Sequence, residues 1–339
     1  MIAFFKKLHY NLVMSLSFMD FCAGIGAGRL GLEKNGLLCV AYSEISKSAI
    51  DSYNLLHDTK NEIQYGDLTK IDTEKLPYFD IMIAGFPCQT FSVMGQRKGF
   101  EDERGQIIYS LIRILKAKGV PYFILENVKG LVNHDKGRTI KIIMKAFDDA
   151  GYYASYKVLN SLEYGVPQMR ERVYFIGIKK DVARKGKEYI WPQASAFPDI
   201  KNYLVDDNNE ISASMKQTLE KYINNKYNKG KYTLESLLKY EYDVIDTRQS
   251  DLRIYKGKVP TLRTGRQGIL YVRNGKLKQL TGYESLLLQG FDKERAKKVQ
   301  GKVSDSNLLA QAGNAMTVTV MQRLCKSLLD YVGLGENQG

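Results

Sequence analysis

Cysteine and histidine are scarce in this chain of 339 residues, which contains four cysteines and three histidines. No two cysteines form a C-x-x-C pair, so the sequence has neither the ligand spacing of a structural zinc site nor the framework of a disulfide-rich fold. We therefore expect no metal, reduced thiols and a cytoplasmic location. Apolar residues make up 44% and charged residues 26%, which is ordinary for a folded globular protein and excludes wholesale disorder.

Long apolar runs are also missing. No stretch approaches the roughly 18 consecutive apolar residues that indicate a membrane-spanning helix. At the N-terminus the apolar run is short, and its basic pair, Lys6 and Lys7, follows it instead of preceding it. We therefore expect no secretory signal peptide and no membrane partner.

Acidic residues are few relative to basic ones. The chain has 37 Asp and Glu against 50 Lys and Arg, a formal net charge of +13. This excess favours a polyanionic partner, with nucleic acid first, although a merely basic soluble protein explains the charge about as well. Residues 261–302 hold ten basic and three acidic side chains. They predict either a phosphate-binding surface or a solvated face.

Strand-like and helix-like patterns alternate through the first half of the chain. Short apolar runs predict strands over 17–21, 38–42, 80–84 and 121–125, and apolar residues at helical spacing predict helices over 46–56, 106–118 and 138–150. Such alternation predicts an α/β fold with a mostly parallel sheet that is covered on both faces.

The pattern changes near residue 179. Residues 179–258 are polar and irregular, and the Asn, Lys and Tyr-rich stretch 222–232 predicts loops or a solvated surface. Residues 257–288 show short strand-like runs and turns, and 307–329 predicts a pair of helices. We expect a discontinuous main domain of residues 1–178 and 303–339, with a smaller, mostly irregular and β domain inserted at 179–302.

A glycine-rich turn follows the first predicted strand and precedes a helix, over Asp20 to Gly28. Glycines there allow a ligand to approach the backbone at a helix N-terminus. Glu44 ends the second strand, where an acid can hold ribose hydroxyls, and Asp67 follows the third apolar run, where it could hold an adenine amino group. This order favours a nucleoside cofactor in a Rossmann-like sheet over the alternative, a tight structural turn.

Three further segments carry candidate catalytic groups. Cys88 lies in a glycine- and proline-bounded loop after a buried strand, where its thiolate could act as a nucleophile, although most cysteines are only structural. Glu126 closes another strand, where poor solvation would raise its pKa; the alternative is a helix N-cap. Arg170 and Arg172 are two residues apart and could grip an anion together, or form surface salt bridges.

In their order, these motifs resemble the DNA (cytosine-5)-methyltransferase family of the bacterial restriction–modification type. The glycine turn resembles the cofactor motif, Pro87-Cys88-Gln89 the nucleophile motif, Glu126-Asn127-Val128 the acid motif, and Gln168 to Arg172 the arginine motif. The segments at 260–262, 289–291 and 311–315 resemble the remaining motifs. The resemblance covers nearly the whole chain and leaves only about 179–257 without a counterpart.

The resemblance implies a Rossmann-like, S-adenosylmethionine-dependent methyltransferase domain with an inserted target-recognition domain. It implies a covalent bond between Cys88 and C6 of a flipped-out cytosine in a specific duplex sequence, with S-adenosylhomocysteine as product. The implied catalytic residues are Cys88, Glu126, Arg170 and Arg172. The implied cofactor-binding residues are Phe21, Cys22, Gly24, Gly26, Glu44, Ile45, Asp67, Leu68, Pro87, Ile107, Asn314 and Ala315. The implied DNA-binding residues are Gln89, Ser92, Thr261 and Arg263.

Two positions depart from the family pattern. The family usually has Asp-Leu-Phe at the glycine turn, whereas this chain has Asp20-Phe21-Cys22, so the aromatic ring expected against the adenine is either replaced by Cys22 or shifted to Phe21. A tryptophan often follows the ribose acid, and here Ile45 does. These departures imply a less aromatic adenine site and leave the catalytic groups unchanged.

Other functions remain open at this level. The same chemistry on tRNA, a catalytically silent DNA reader, and an NAD-dependent oxidoreductase each explain part of the pattern. The inserted region favours duplex DNA, and the intact Cys88, Glu126 and Arg172 favour an active enzyme. We expect a monomer whose DNA is the main partner, and a separately acting cognate endonuclease is compatible with the resemblance. The recognition sequence and the residues that read it are not assigned by the sequence.

Overall fold

The computed structural model of this chain describes residues 16–87, 106–206, 209–265 and 267–334. Its strands are β1 (Ser17–Phe21), β2 (Leu38–Ser43), β3 (Ile63–Gln64), β4 (Ile81–Gly85), β5 (Tyr122–Val128), β6 (Tyr152–Asn160), β7 (Gln168–Met169), β8 (Glu171–Lys179), β9 (Asp243–Asp246), β10 (Arg253–Lys256), β11 (Val259–Pro260), β12 (Ile269–Arg273) and β13 (Lys276–Gln279). Its helices are α1 (Ala27–Glu33), α2 (Lys47–Leu56), α3 (Gln106–Lys118), α4 (Gly130–Asn133), α5 (Arg138–Asp149), α6 (Ala213–Ile223), α7 (Leu234–Leu238), α8 (Gly282–Leu288), α9 (Lys293–Lys297), α10 (Asp305–Asn314) and α11 (Val318–Val332). Within these ranges, no helix combines the length and the apolar character needed to cross a membrane.

Seven strands form the main sheet, in the order β3-β2-β1-β4-β5-β8-β6. Strands β3, β2, β1, β4 and β5 are parallel, and β8 is antiparallel to both β5 and β6. The strand order changes direction between β1 and β4. Open α/β sheets bind ligands at such a switch point, outside the carboxyl ends of the strands.

The core lies on both faces of this sheet. Phe18 of β1 and Ile83 of β4 belong to one hydrophobic cluster, whereas the adjacent Met19 and Met82 belong to another. Successive side chains of a strand point to opposite faces, so each strand contributes to both clusters. Helices α1, α10 and α11 pack into the first cluster, and α3 and α5 pack into the second. This is the covering expected of a parallel sheet.

Four antiparallel strands form a second sheet, in the order β10-β9-β12-β13. On one face, Ile245 and Leu270 pack with Leu219 of α6 into a small separate cluster. On the other face, Val244 and Tyr271 join the main core. The second sheet therefore has a small core of its own on one face and is attached to the main core through the other.

Helix α6 differs from the irregular structure predicted for residues 179–258. Ser212 caps the helix by accepting a hydrogen bond from the backbone N–H of Met215, and Leu219 and Ile223 form a buried face one turn apart. Two apolar residues among polar neighbours give only a weak helical period in the sequence. The prediction of irregular structure was therefore wrong for residues 213–223.

Helix α8 also differs from its prediction, which extended strand-like runs to residue 288. Thr281 and Glu284 form a capping box at its start, and every residue of the helix is buried. A fully buried helix has no amphipathic period to reveal it. Leu286 of α8 and Ala296 of α9 belong to the same cluster as Phe18 of β1, whereas the buried residues of the small separate cluster lie between Leu219 and Leu277.

Candidate active site

A cavity of about 670 Å³ opens at the carboxyl ends of β1, β2, β4 and β5. Its position at the switch point is the one that the strand order predicts. Twelve of the candidate residues named from the sequence line it: Cys22, Gly24, Glu44, Ile45, Asp67, Leu68, Pro87, Ile107, Glu126, Arg170, Arg172 and Asn314.

The glycine turn fixes the orientation of Glu44. Gly24 has a φ of 56° and its backbone N–H donates to Oε2 of Glu44 at 2.8 Å. Oε1 of the same carboxylate accepts from the backbone N–H groups of Ile45 and Ser46, each at 2.8 Å. Oε1 thus uses both of its lone pairs, whereas Oε2 keeps one, so Glu44 can still accept a hydrogen bond from a hydroxyl group of a ligand.

Gly26 serves packing and does not line the cavity. Its φ is 75°, and a Cβ at this position would lie 2.2 Å from Nε2 of His57. The imidazole needs that space because Nε2 also lies 3.0 Å from the carbonyl oxygen of Ile25. The turn therefore lines the cavity through Gly24 and packs closely against the protein at Gly26.

Asp67 lies across the cavity from the glycine turn. Oδ1 accepts hydrogen bonds from the hydroxyl and the backbone N–H of Thr69, at 2.7 and 3.0 Å. These bonds lower the pKa of Asp67 and keep it ionised, so it can accept a hydrogen bond from an amino group. Leu68 beside it is buried and supplies an apolar wall.

The two candidates for the place of the missing aromatic, Cys22 and Phe21, have different surroundings. Cys22 lines the cavity, with a φ of 49°, and burial raises the pKa of its thiol. Phe21 is fully buried in the core, with its ring centroid 6.1 Å from that of Phe79. Phe21 does not line the cavity, so the structure gives no support to the expected shift of the adenine contact to Phe21, whose ring packs into the core instead.

Glu126 and Arg172 form an ion pair at the other end of the cavity. Nε of Arg172 lies 3.1 Å from Oε1 of Glu126, and the two side chains are only 14% and 9% exposed. Burial raises the pKa of Glu126, and the nearby charges of Arg172 and Arg170 offset only part of that rise. The raised pKa agrees with the sequence-based prediction. Glu126 lies inside β5, so the helix N-cap alternative is wrong.

Arg170 has a different environment from Arg172. It lies between β7 and β8, is only 1% exposed, and donates to three backbone carbonyls: those of Leu262 (3.1 Å), Gly313 (3.1 Å) and Ala315 (2.7 Å). Among the described residues, its Nε has no partner. The two arginines therefore do not grip one anion together. Arg170 therefore joins the segment that follows β11 to the end of α10. Ala315, which the resemblance assigned to the cofactor, accepts one of these bonds through its carbonyl and does not line the cavity.

Asn127 connects the acid strand to the loop that leads to Cys88. Its Nδ2 donates to the carbonyl oxygen of Phe86 at 2.9 Å, and its Oδ1 accepts from the backbone N–H of Val128 at 2.8 Å. Pro87 is the last described residue before the gap, and it lines the cavity. Cys88, Gln89 and Ser92 lie outside the described residues.

The sequence analysis missed several cavity residues. Gln311 of α10 accepts a hydrogen bond from the hydroxyl of Ser52 at 2.9 Å and donates to the carbonyl of Ser48 at 2.9 Å, joining α10 to α2. The serines that follow Glu44 could have been predicted as cavity residues from the sequence, because small polar residues directly after a strand favour a ligand-binding turn. The unpredicted lining residues of this type are Ser43, Ser46, Ser48, Asn307 and Gln311.

A second cavity of about 540 Å³ adjoins the first, and Val128 and Arg172 line both. The predicted DNA contacts Thr261 and Arg263 line this second cavity. The hydroxyl of Thr261 donates to the carbonyl of Met169, which positions the segment that follows β11 beside the arginine motif. Among the described residues, no cluster of three or more His, Cys, Asp or Glu could hold a metal.

The basic stretch 261–302 does not form one free surface. Lys276 pairs with Glu210 at 2.9 Å, and Arg295 pairs with Glu33 of α1 at 3.1 Å. Arg263 instead lines the second cavity and is exposed. The net charge of this stretch therefore overstates what is available to bind phosphate.

Comparison with known proteins gives consistent results. Residues 16–330 match the C-5 cytosine-specific DNA methylase family. The chain is 38% identical over 243 residues to the orphan methyltransferase M.SPRI of Bacillus phage SPR, covering 66% of this chain and 54% of that protein. It is 30% identical over 334 residues to the type II methyltransferase M.DsaV of Dactylococcopsis salina, covering 95% and 88%. It is 36% identical over 314 residues to the type II methyltransferase M.NlaX of Neisseria lactamica, covering 91% and 95%. The chain thus spans about half the length of the first relative and most of the other two.

Solved structures share the fold. A variant of Spodoptera frugiperda DNMT2 has a TM-score of 0.67 at 18% identity, covering 93% of this chain and 100% of that one. The Entamoeba histolytica methyltransferase EhMeth has the same score and identity, covering 94% and 99%. At this identity the likeness concerns the fold alone, and it confirms the predicted α/β class.

Proposed function

The chain belongs to the C-5 cytosine-specific DNA methylase family, and we propose that it transfers the methyl group of S-adenosylmethionine to C5 of a cytosine within a specific duplex DNA sequence. The observation that carries the proposal is the buried pair of Glu126 and Arg172, which lies in the same cavity as the glycine turn, Glu44 and the loop leading to Cys88. A proton donor, a fixed cation and a nucleophile beside a nucleoside site are the groups that this reaction needs.

The cavity residues fit S-adenosylmethionine. A volume of about 670 Å³ is in the usual range of small-molecule sites. Glu44 has free acceptor capacity for ribose hydroxyls, Asp67 is ionised and can accept from the adenine amino group, and Leu68, Ile45 and Ile107 supply apolar walls. The cofactor supplies the methyl group, activated by the positive charge on its sulfur, and becomes S-adenosylhomocysteine.

The residues of the chain have distinct roles in the proposed reaction. The thiolate of Cys88 adds to C6 of cytosine and forms a carbon–sulfur bond. Glu126 donates to N3, so that the electron pair released from the C5–C6 double bond makes C5 nucleophilic without a full negative charge on the ring. Contacts with the described residues use two of the five N–H donors of Arg172, which leaves donors for the cytosine O2. After C5 has gained the methyl group, it loses its proton to water. The carbon–sulfur bond then breaks to release the Cys88 thiolate, and N3 returns its proton to Glu126.

The target cytosine must leave the helix for this reaction. C5 and C6 are stacked inside duplex DNA and cannot be reached by both a thiolate and a methyl donor, so we propose base flipping. The second cavity, which shares Arg172 with the first, would then face the flanking duplex, with Thr261 and Arg263 at its wall. We propose that residues 179–302 contain the target-recognition region, that the protein acts as a monomer, and that any cognate endonuclease acts separately.

The first test is cytosine-conversion sequencing of plasmid DNA from a methylation-free host that expresses the protein. We expect protected cytosines confined to one short motif, and none with the Cys88→Ala variant. Complete conversion with the wild-type protein would remove the proposal for DNA. A tritiated methyl donor offered to duplex DNA and to tRNA in parallel would then distinguish an RNA substrate from a silent reader.

A further inference from the structure

The loop between β9 and β10 is anchored on both sides and projects one unpaired side chain into the second cavity. It comprises residues 247–252 and closes an antiparallel hairpin in which Asp246 pairs with Arg253. Gln249, near its centre, lines the second cavity, whose wall also includes Arg172 and Arg253. Gln249 also lines a neighbouring open cavity of about 520 Å³, with Tyr222 and Tyr227.

One side of the loop is fixed by Arg248. Its Nε and Nη2 bond to the two carboxylate oxygens of Asp246, at 2.7 and 2.8 Å, and its Nη1 donates to the carbonyl of Thr261 at 2.7 Å. The Arg248 side chain is 2% exposed. A bidentate, buried guanidinium of this kind is a rigid support. Arg248 is therefore committed to the protein and is not available to bind DNA.

The other side is fixed by two asparagines from the turn after α6. Nδ2 of Asn225 and Nδ2 of Asn228 both donate to the carbonyl oxygen of Ser250, at 2.7 and 2.9 Å. Oδ1 of Asn228 accepts from the backbone N–H of Leu252 at 3.0 Å, and Asn228 is fully buried. The Asn-rich stretch, which the sequence predicts to be a loop or a solvated surface, thus holds the loop of residues 247–252 in place.

Gln249 lies between these two anchors with its amide group available. Across the described ranges, its side chain takes part in no hydrogen bond, and it is half-buried at the cavity wall. A half-buried carboxamide in a rigid loop has both a donor and an acceptor to offer, and its desolvation is compensated only when a ligand supplies the partners.

We infer that Gln249 is a specificity-determining residue that reads a base edge of the target duplex, and that Asn225 and Asn228 are the positioning residues that hold it in place. The inference rests on the proposed function, since it names the part of the inserted region that recognises DNA. A glutamine amide matches the adjacent donor and acceptor of adenine, N6 and N7, in the major groove. The partner is therefore an adenine near the target cytosine, on either strand.

The test compares methylation at the wild-type motif with methylation at motifs that differ by one base pair, by conversion sequencing of a randomised duplex library. We expect Gln249→Ala to relax discrimination at one A·T position by roughly tenfold or more while leaving the other positions unchanged. Gln300→Ala, an exposed glutamine outside all three cavities, is the matched control and should keep the wild-type profile.

The positioning role has its own pair of variants. Asn225→Ala should relax the same position as Gln249→Ala. The adjacent Asn224→Ala should not, because the Asn224 side chain donates to the carbonyl of Glu220 in α6 and, among the described residues, does not contact the loop. An unchanged profile for Gln249→Ala, with the wild-type protein methylating a single motif, would overturn the inference and leave the proposed function intact. A uniform loss of activity at all sites would equally overturn it, because a structural role lowers every site alike. Failure of the wild-type protein to methylate any DNA would instead count against the proposed function.

Discussion

At the residue scale, the environment of Glu126 makes a prediction about pH. Burial raises the pKa of this carboxyl, so a larger fraction is protonated near neutrality than for an ordinary glutamate. If the protonated form donates to N3, kcat/KM falls as pH rises through that raised pKa. We expect Glu126→Gln to lower kcat by roughly 10² to 10⁴ and to abolish this limb of the profile. Steady-state rates between pH 5 and 9 measure both effects.

The control for this prediction is Glu163→Gln, which changes an exposed carboxylate that lines neither the first nor the second cavity. It should retain the rate and the pH limb of the wild-type enzyme. If Glu126→Gln also kept the limb, another group would be the proton donor.

Arg170 and Arg172 should separate stability from catalysis. Arg170→Met leaves three buried carbonyl oxygens without a donor, and we expect it to lower the free energy of unfolding by about 3–5 kcal/mol. Arg172→Met should cost less stability and reduce kcat more, because its guanidinium faces the cavity beside Glu126. Urea unfolding and single-turnover methylation measure the two quantities. Equal stability of the two variants would show that Arg170 does not support the fold.

The sequence predicted individual cavity residues well where the residue lies at the carboxyl end of a predicted strand. Glu44, Asp67 and Glu126 lie in one cavity because carboxyl ends of neighbouring parallel strands meet there. It was misleading for Phe21 and for Arg170. Which core cluster receives Phe21, and which carbonyls surround Arg170, depend on parts of the chain that are distant in sequence, up to 145 residues away in the case of Arg170. Local patterns do not contain that information.

At the element scale, β8 makes close contact with β5 through a glycine. A Cβ on Gly177 would lie 1.9 Å from Cε1 of Phe123, whose ring packs at 4.6 Å from that of Phe147. We expect Gly177→Ala to lower the free energy of unfolding by about 1–3 kcal/mol, as overpacked cores do. Combining it with Phe123→Leu should recover part of the loss, since the smaller side chain makes room. Urea unfolding measures the effect.

Gly130→Ala is the matched control for this prediction. Its Cβ would meet no atom within 4 Å, and its backbone conformation is accessible to alanine, so the stability should change by no more than about 0.5 kcal/mol. A Gly177→Ala protein as stable as this control would show that the Phe123 ring can move aside without cost.

Helices whose apolar residues recur at a clear helical period were predicted well from the sequence. Helices without such a period were missed. The helix over 106–118 has the predicted bounds, because its apolar residues recur at helical spacing. Helix α8 was missed because all of its residues are buried, and α6 because only Leu219 and Ile223 mark its inner face. In both cases capping residues, Thr281 with Glu284 and Ser212, carried the usable signal.

At the scale of the whole molecule, motif order identified the family, whereas the predicted domain bounds of 179–302 stay a prediction. Residues 179–302 read as one unit in the sequence, yet α8 and α9 pack with β1 in the main core. Arg295 of α9 bonds to Glu33 of α1, 262 residues earlier in the chain. The small core of the inserted region belongs to α6, α7 and the second sheet.

The net charge of +13 leads to a prediction about salt. A protein that neutralises Z phosphates releases the condensed counterions, so log Kobs for duplex DNA falls with log[salt] with a slope of about −0.9Z. Lys129 lines the second cavity, and its side chain is 52% exposed, paired only with the exposed Glu171 among the described residues. We expect Lys129→Ala to reduce the magnitude of the slope by about 1, because one phosphate contact is lost. Lys326→Ala, on α11 and 63% exposed, should leave it unchanged.

Gln249 belongs in the same experiment because it carries no charge. Each substitution is made in the Cys88→Ala protein, which binds DNA without turnover. Fluorescence anisotropy of a short labelled duplex over a series of NaCl concentrations then gives the slope of log Kobs against log[salt]. Gln249→Ala should weaken binding to the recognised sequence and leave the slope at its Cys88→Ala value, since no counterion is released at a base edge. A slope that falls with Gln249→Ala, or stays constant with Lys129→Ala, would mean that the second cavity faces the DNA in a different orientation from the one proposed.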